Sequence, residues 1–170
     1  MRNILVLAVC LGVPGRAVAQ SGASVSADAV VVTVGMTIAT LRDLNFGTVI
    51  KSVPTTVLPT VAAAGEWQVT GSSNANVIIS FTLPTQLTNI QALPGSTMPI
   101  SFSAVSAIWR RATNNPVGGT IFNPATGAVG RLGPPPNPSM YVWVGGTVNP
   151  AATAKPGIYQ GSVIVSLVYQ

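Results

Sequence analysis

Asp28, Asp43 and Glu66 are the only carboxylates in this 170-residue chain, and it contains no histidine. A two-carboxylate hydrolase must hold an acid and a base across one bond, and three widely spaced acids are a poor source of such a pair. Without histidine the commonest general base and metal ligand is missing. Serines and threonines are plentiful, but only Lys51 and Lys155 could activate one, and no Ser–Lys motif surrounds either lysine. Gly118-Gly119 and Gly145-Gly146 lack the following lysine and helix of a phosphate loop, and fit bends or bulges in strands. A metal site would need the three distant acids to converge, against the ligand sets metals prefer. The expectation is a protein that is not an enzyme and uses no cofactor or metal.

Trp67, Trp109 and Trp143 offer a different chemistry, an aromatic platform for sugar rings. Large aromatics of a β-sandwich belong more often to its core. Trp109, beside Arg110-Arg111, is the candidate ligand aromatic, because its neighbours favour exposure.

Residues 1–19 have the layout of a secretory signal peptide. Arg2 supplies the positive start, Ile4 to Val13 is an apolar run, and Ala17-Val18-Ala19 is a small-x-small cleavage site before Gln20. The run is too short for a membrane span, which takes about 20 apolar residues. Leu7-Ala8-Val9-Cys10 imitates a lipoprotein box, but the cysteine lies inside the apolar run. Cleavage removes Cys10, the one cysteine, so residues 20–170 would reach an oxidising compartment without a disulfide and without a membrane span. The expected location is the periplasm, the cell surface or the medium.

The whole chain is 48% hydrophobic and 6% charged, far below the roughly 25% charge of ordinary soluble domains. Such a composition excludes a solvated disordered chain. The formal net charge of +5 comes from scarce carboxylates, and no stripe of Lys or Arg follows any element, which argues against a nucleic-acid partner.

β-Branched residues and Gly/Pro punctuation dominate residues 20–170, and no long stretch has helical periodicity. Strands are expected at Ser24–Val34, Thr37–Leu41, Phe46–Ile50, Glu66–Thr70, Asn76–Leu83, Pro99–Ala104, Gly119–Phe122, Met140–Gly145 and Tyr159–Tyr169. Gly130–Pro138, with its prolines, reads as a loop. Many short strands predict an all-β, immunoglobulin-like antiparallel sandwich with Greek-key connections over residues 20–170.

The last strand alternates. Tyr159, Val163, Val165, Leu167 and Tyr169 share one face, opposite Gln160, Ser162, Ser166 and Gln170. A strand with one buried face needs this period of two. Ile164 and Val168 interrupt the polar face, which suggests that part of it is covered. Near the start, Ala23, Val25, Ala27 and Ala29 alternate with Ser24, Ser26 and Asp28 before the apolar run Ala29–Val32. Two readings fit: a first strand of the chain's own sandwich, or a donor segment whose apolar teeth fill a groove in a neighbouring subunit.

The succession of motifs carries a resemblance. Asp43-Leu44-Asn45-Phe46-Gly47-Thr48-Val49 is followed by Trp67-Gln68-Val69-Thr70-Gly71, by Val77–Pro84, by Val144-Gly145-Gly146-Thr147-Val148 and by Lys155–Gly161. The chain closes on Val163-Ile164-Val165-Ser166-Leu167-Val168-Tyr169. It resembles a bacterial family of secreted domains of unknown function with an LNFG segment and a GxYxGxVxVxVxY ending, although Leu167 replaces the third valine. That family is similar in turn to spore-coat-U-like and archaic chaperone–usher pilin subunits. The resemblance implies a sandwich lacking one strand, which a periplasmic chaperone lends and the next subunit's N-terminal segment replaces. It also implies that the chaperone binds the alternating C-terminal strand and its penultimate tyrosine, here Tyr169. The partners so implied are other copies or related subunits, a chaperone and an outer-membrane usher. A monomeric carbohydrate-binding sandwich is the alternative.

Overall fold

The computed structural model describes residues 35–90 and 97–170. The expected strand Ser24–Val34 and the candidate donor residues Ala23, Val25, Ala27 and Ala29 lie outside the described residues. Thirteen strands and no helix occur among the described residues, so none there holds a helix long and apolar enough to cross a membrane. In chain order the strands are β1 Thr37–Arg42, β2 Thr55–Val57, β3 Gly65–Thr70, β4 Asn76–Thr82, β5 Gln86–Asn89, β6 Thr97–Ser101 and β7 Ala107–Arg111. They continue as β8 Thr120–Phe122, β9 Ala128–Arg131, β10 Ser139–Val144, β11 Gly146–Val148, β12 Tyr159–Gln160 and β13 Ile164–Tyr169. Each paired neighbour is antiparallel, and the whole is an all-β sandwich.

The main core lies between the sheet β1-β3-β10-β7-β8 and the sheet β13-β4-β9. Alternation builds it. On β4, Val77 and Ile79 are fully buried while Asn76, Ile78 and Ser80 face outward. Trp67 and Val69 from β3, and Met140, Val142 and Val144 from β10, meet them from the opposite layer. β10 is central between β3 and β7, and its side chains are covered on both faces, Trp143 completely. A third sheet, β12-β5-β6-β11-β2, holds a smaller cluster of Leu87, Met98, Ile100 and Val148.

One run of chain serves both cores. β10 ends at Val144 and β11 begins at Gly146 in a different sheet, so Gly145 is the crossing point. A Cβ on Gly145 would lie 2.1 Å from the Val57 carbonyl oxygen, so only glycine lets the crossing strand pass β2 this closely. The expected bend at Gly145-Gly146 is therefore found. Gly118-Gly119 forms the turn between β7 and β8, with Gly118 at φ +80° and the Gly119 N–H donating to Pro116 O at 3.0 Å.

Two expected strands are corrected. Phe46–Ile50 is not a strand, because the Gly47 N–H donates to Asn45 Oδ1 at 2.8 Å and Gly47 takes φ +64°. This Asx turn breaks extension, and Phe46 and Val49 pack onto the smaller cluster from irregular chain instead. Tyr159–Tyr169 is two strands, since β12 pairs with β5 and β13 with β4, and the chain passes from one sheet to the other across Gly161–Val163. Gly130 and Arg131 belong to β9, an edge strand, while the proline-rich remainder of Gly130–Pro138 is loop.

Candidate assembly groove

β13 lies at the end of its sheet and pairs, among the described residues, with β4 alone. Its register sets Leu167 opposite Ile79 and Val165 opposite Phe81. Directly opposed residues share a face, so Val165, Leu167 and Tyr169 point at the main core, and Val163 joins them. The alternating face expected from the sequence is therefore the inward one. Yet Val163, Val165 and Leu167 are only half-buried, whereas their neighbours Val77 and Ile79 on β4 are fully buried. The inner side of this edge is not closed by the described strands.

Tyr169 is anchored differently. The Ser72 N–H donates to its hydroxyl oxygen at 2.9 Å, and a Cβ on Gly71 would come within 2.3 Å of that oxygen. Tyr159 packs on the smaller cluster and donates from its hydroxyl to Lys155 O at 2.7 Å. The five residues expected to share one face thus divide between two cores. On the opposite face, Ile164 and Val168 are 53% and 62% exposed, so the expected cover of that face is not found. Val168 stands in register with Ile78, and Ile78 with Val129, which makes an exposed apolar row across three strands.

The end strand of the other core sheet is β1. All six of its residues are exposed, and it is held to β3 by its ladder and by one ion pair from Arg42 to Glu66. Beyond Arg42 the chain runs along a cleft of about 1070 Å³. Gly161, Ser162 and Val163, which lead into β13, line the same cleft. Its apolar wall includes Leu87, Met98, Ile100 and Val148, with Phe46, Trp67 and Tyr159 as aromatic lining.

Charge in the cleft is distinctive for so uncharged a chain. Lys51 and Lys155 are the only lysines, and both line it, with Asp43 as the one acid. All three are exposed and form no ion pair among the described residues. Nothing in the sequence signals this convergence, because the lysines are far apart in the chain and lie in irregular segments.

The arginines serve elsewhere. Arg110 donates to Asn115 O at 3.1 Å and to Val117 O, which ties down the β7–β8 turn. Arg111 donates to Leu132 O at 2.9 Å and to Asn74 Oδ1, and Arg131 donates to Asn74 O at 3.0 Å. Asn74 sits at φ +62°, and the two arginines clamp that turn. Trp109 is half-buried and packs on the main core, while Trp67 and Trp143 are buried. The exposed position expected for Trp109 is not found, and the three tryptophans share no exposed platform.

The described residues form an antiparallel β-sandwich in which the end strand β13 pairs with β4 alone. The chain belongs to the family described as Domain of unknown function (DUF4402), whose family model matches residues 36–169. No curated protein matches the chain.

Proposed function

We propose that the protein is an exported structural or adhesive surface subunit, pilin-like, that assembles by β-strand addition. The observation that supports this reading is the inner face of β13, where Val163, Val165 and Leu167 point at the main core from an end strand and are only half-buried. Unpaired strand edges are normally protected, because they recruit other chains. An added strand would supply a ladder to the β13 edge and apolar side chains to its inner face. Ala23, Val25, Ala27 and Ala29 of another copy have the required period of two. Such head-to-tail contact builds filaments when the rotation between copies does not close a ring. The signal-peptide pattern of residues 1–19 fits export, and a chaperone and usher are the partners this route would require.

The test uses the protein as exported. Wild type is expected in polymers or in a soluble complex with a chaperone, and Val25→Asp is expected to remain unpolymerised but soluble. Wild type that purifies as a stable monomer, with residues 23–29 protected from hydrogen exchange, overturns the proposal and makes that segment the chain's own first strand.

A further inference from the structure

We infer that Asp28 of one copy is read by Lys51 and Lys155 of the next, and that this contact sets the register of the added strand. The inference rests on the assembly reading above and adds to it a partner group and a direction.

Elimination narrows the charge that the lysine cleft can meet. Of the three carboxylates in the chain, Glu66 is buried and paired with Arg42, and Asp43 lines the cleft itself. Only Asp28 is left, and it lies inside the alternating segment. The cleft holds two cations against one anion, so its balance favours an incoming acid.

Periodicity puts that acid on the correct side. In an extended strand Val25, Ala27 and Ala29 would share one face and Asp28 would take the other. When the apolar face enters the groove, the carboxylate stays at the rim, where exposed lysines can reach it on their long stems.

Direction follows from where the cleft lies. It adjoins the start of β13, at Gly161–Val163. Asp28 is near the C-terminal end of the alternating segment, so the segment must run toward the cleft, antiparallel to β13. Val25 opposite Leu167 then gives Ala27 opposite Val165 and Ala29 opposite Val163. Directly opposed residues share a face, so every apolar tooth meets an inward residue of β13. Asp28 falls opposite Ile164, beside the cleft. A shift by one residue would turn the teeth outward, and a shift by two would draw Asp28 away from the lysines.

The experiment measures the assembly rate of the exported protein by light scattering. The variants are Asp28→Lys, the pair Lys51→Glu with Lys155→Glu, and the triple variant that combines them. Each reversal is expected to slow assembly about tenfold at low salt, since it turns a partly exposed attraction into repulsion. The triple variant is expected to recover to within about twofold of wild type, and about 1 M salt, with a screening length near 3 Å, is expected to level all four. Thermal melting of the lysine pair variant should match wild type, because both side chains are exposed. Asp28→Lys assembling at the wild-type rate while Val25→Asp is blocked would overturn this inference and leave strand addition standing. Slowing without recovery in the triple variant would also overturn it, because Asp28 would then act on some other group. Wild type that stays monomeric defeats both readings.

Discussion

Arg42 and Glu66 form an ion pair that joins an exposed edge strand to the buried side of its neighbour. Glu66 is 2% exposed and Arg42 44%. The β1–β3 ladder aligns Thr40 with Trp67 and then Arg42 with Glu66, so Leu41 is an extra residue that bulges the strand. Without this bulge Arg42 would face the opposite side of the sheet. One irregularity therefore places the guanidinium over the carboxylate.

Arg42→Ala should cost more than an ordinary surface substitution, because it strands a buried carboxylate. Breaking a fully buried pair costs about 3–5 kcal/mol. With Arg42 partly exposed, the loss expected here is about 1–3 kcal/mol. Urea unfolding checks it, and Arg42→Lys should recover part of the loss. A change below about 0.5 kcal/mol would mean that water already serves Glu66.

The half-closed inner face of β13 gives a graded expectation. Ile79 is fully buried and Leu167, directly opposite it, is only half-buried. Ile79→Ala should lose about 2–5 kcal/mol, the usual range for truncating a buried aliphatic side chain, and Leu167→Ala about half of that. If assembly covers the β13 face, the Leu167→Ala loss should grow in the polymer while the Ile79→Ala loss stays constant. Denaturation of subunit and polymer side by side provides the comparison.

Gly145→Ala should prevent folding or lower stability by at least about 1–3 kcal/mol, since its Cβ would collide with the Val57 carbonyl, a backbone atom that cannot swing aside. Gly35→Ala is the control, because a Cβ there meets nothing within 4 Å. Circular dichroism melts of both variants decide it.

Export with cleavage after Ala19 predicts a mature N-terminus at Gln20. Intact-mass measurement on secreted protein should give the mass of residues 20–170. Retention of Met1 on exported material would contradict it.

Where one face is buried and the other wet, the sequence was readable. β13 announces itself by alternation, and β3, β4 and β10 by dense β-branched and aromatic residues. β7 carries no such signal, because Arg110 and Arg111 look like surface residues, whereas they donate to turn carbonyls and to Asn74. β5, with three polar residues among four, shows little apolar pattern of its own, and its one aliphatic side chain, Leu87, is buried by tertiary packing. Phe46–Ile50 was misread for the converse reason. Its apolar residues are real core contributors, but the Asn45–Gly47 turn decides the backbone. Of the groove, the β13 face was legible and the lysine cleft was not, because only the fold brings residues 51 and 155 to one opening.

The passage of one strand from sheet to sheet at Gly145 also bears on how the molecule comes apart. Met140, Val142 and Val144 belong to the larger core and Val148 to the smaller, on nearly continuous chain. Loosening the smaller cluster pulls directly on the strand at the centre of the larger one. Two hydrophobic centres that could have melted separately are thus mechanically coupled, and heating should unfold residues 35–170 as one cooperative unit.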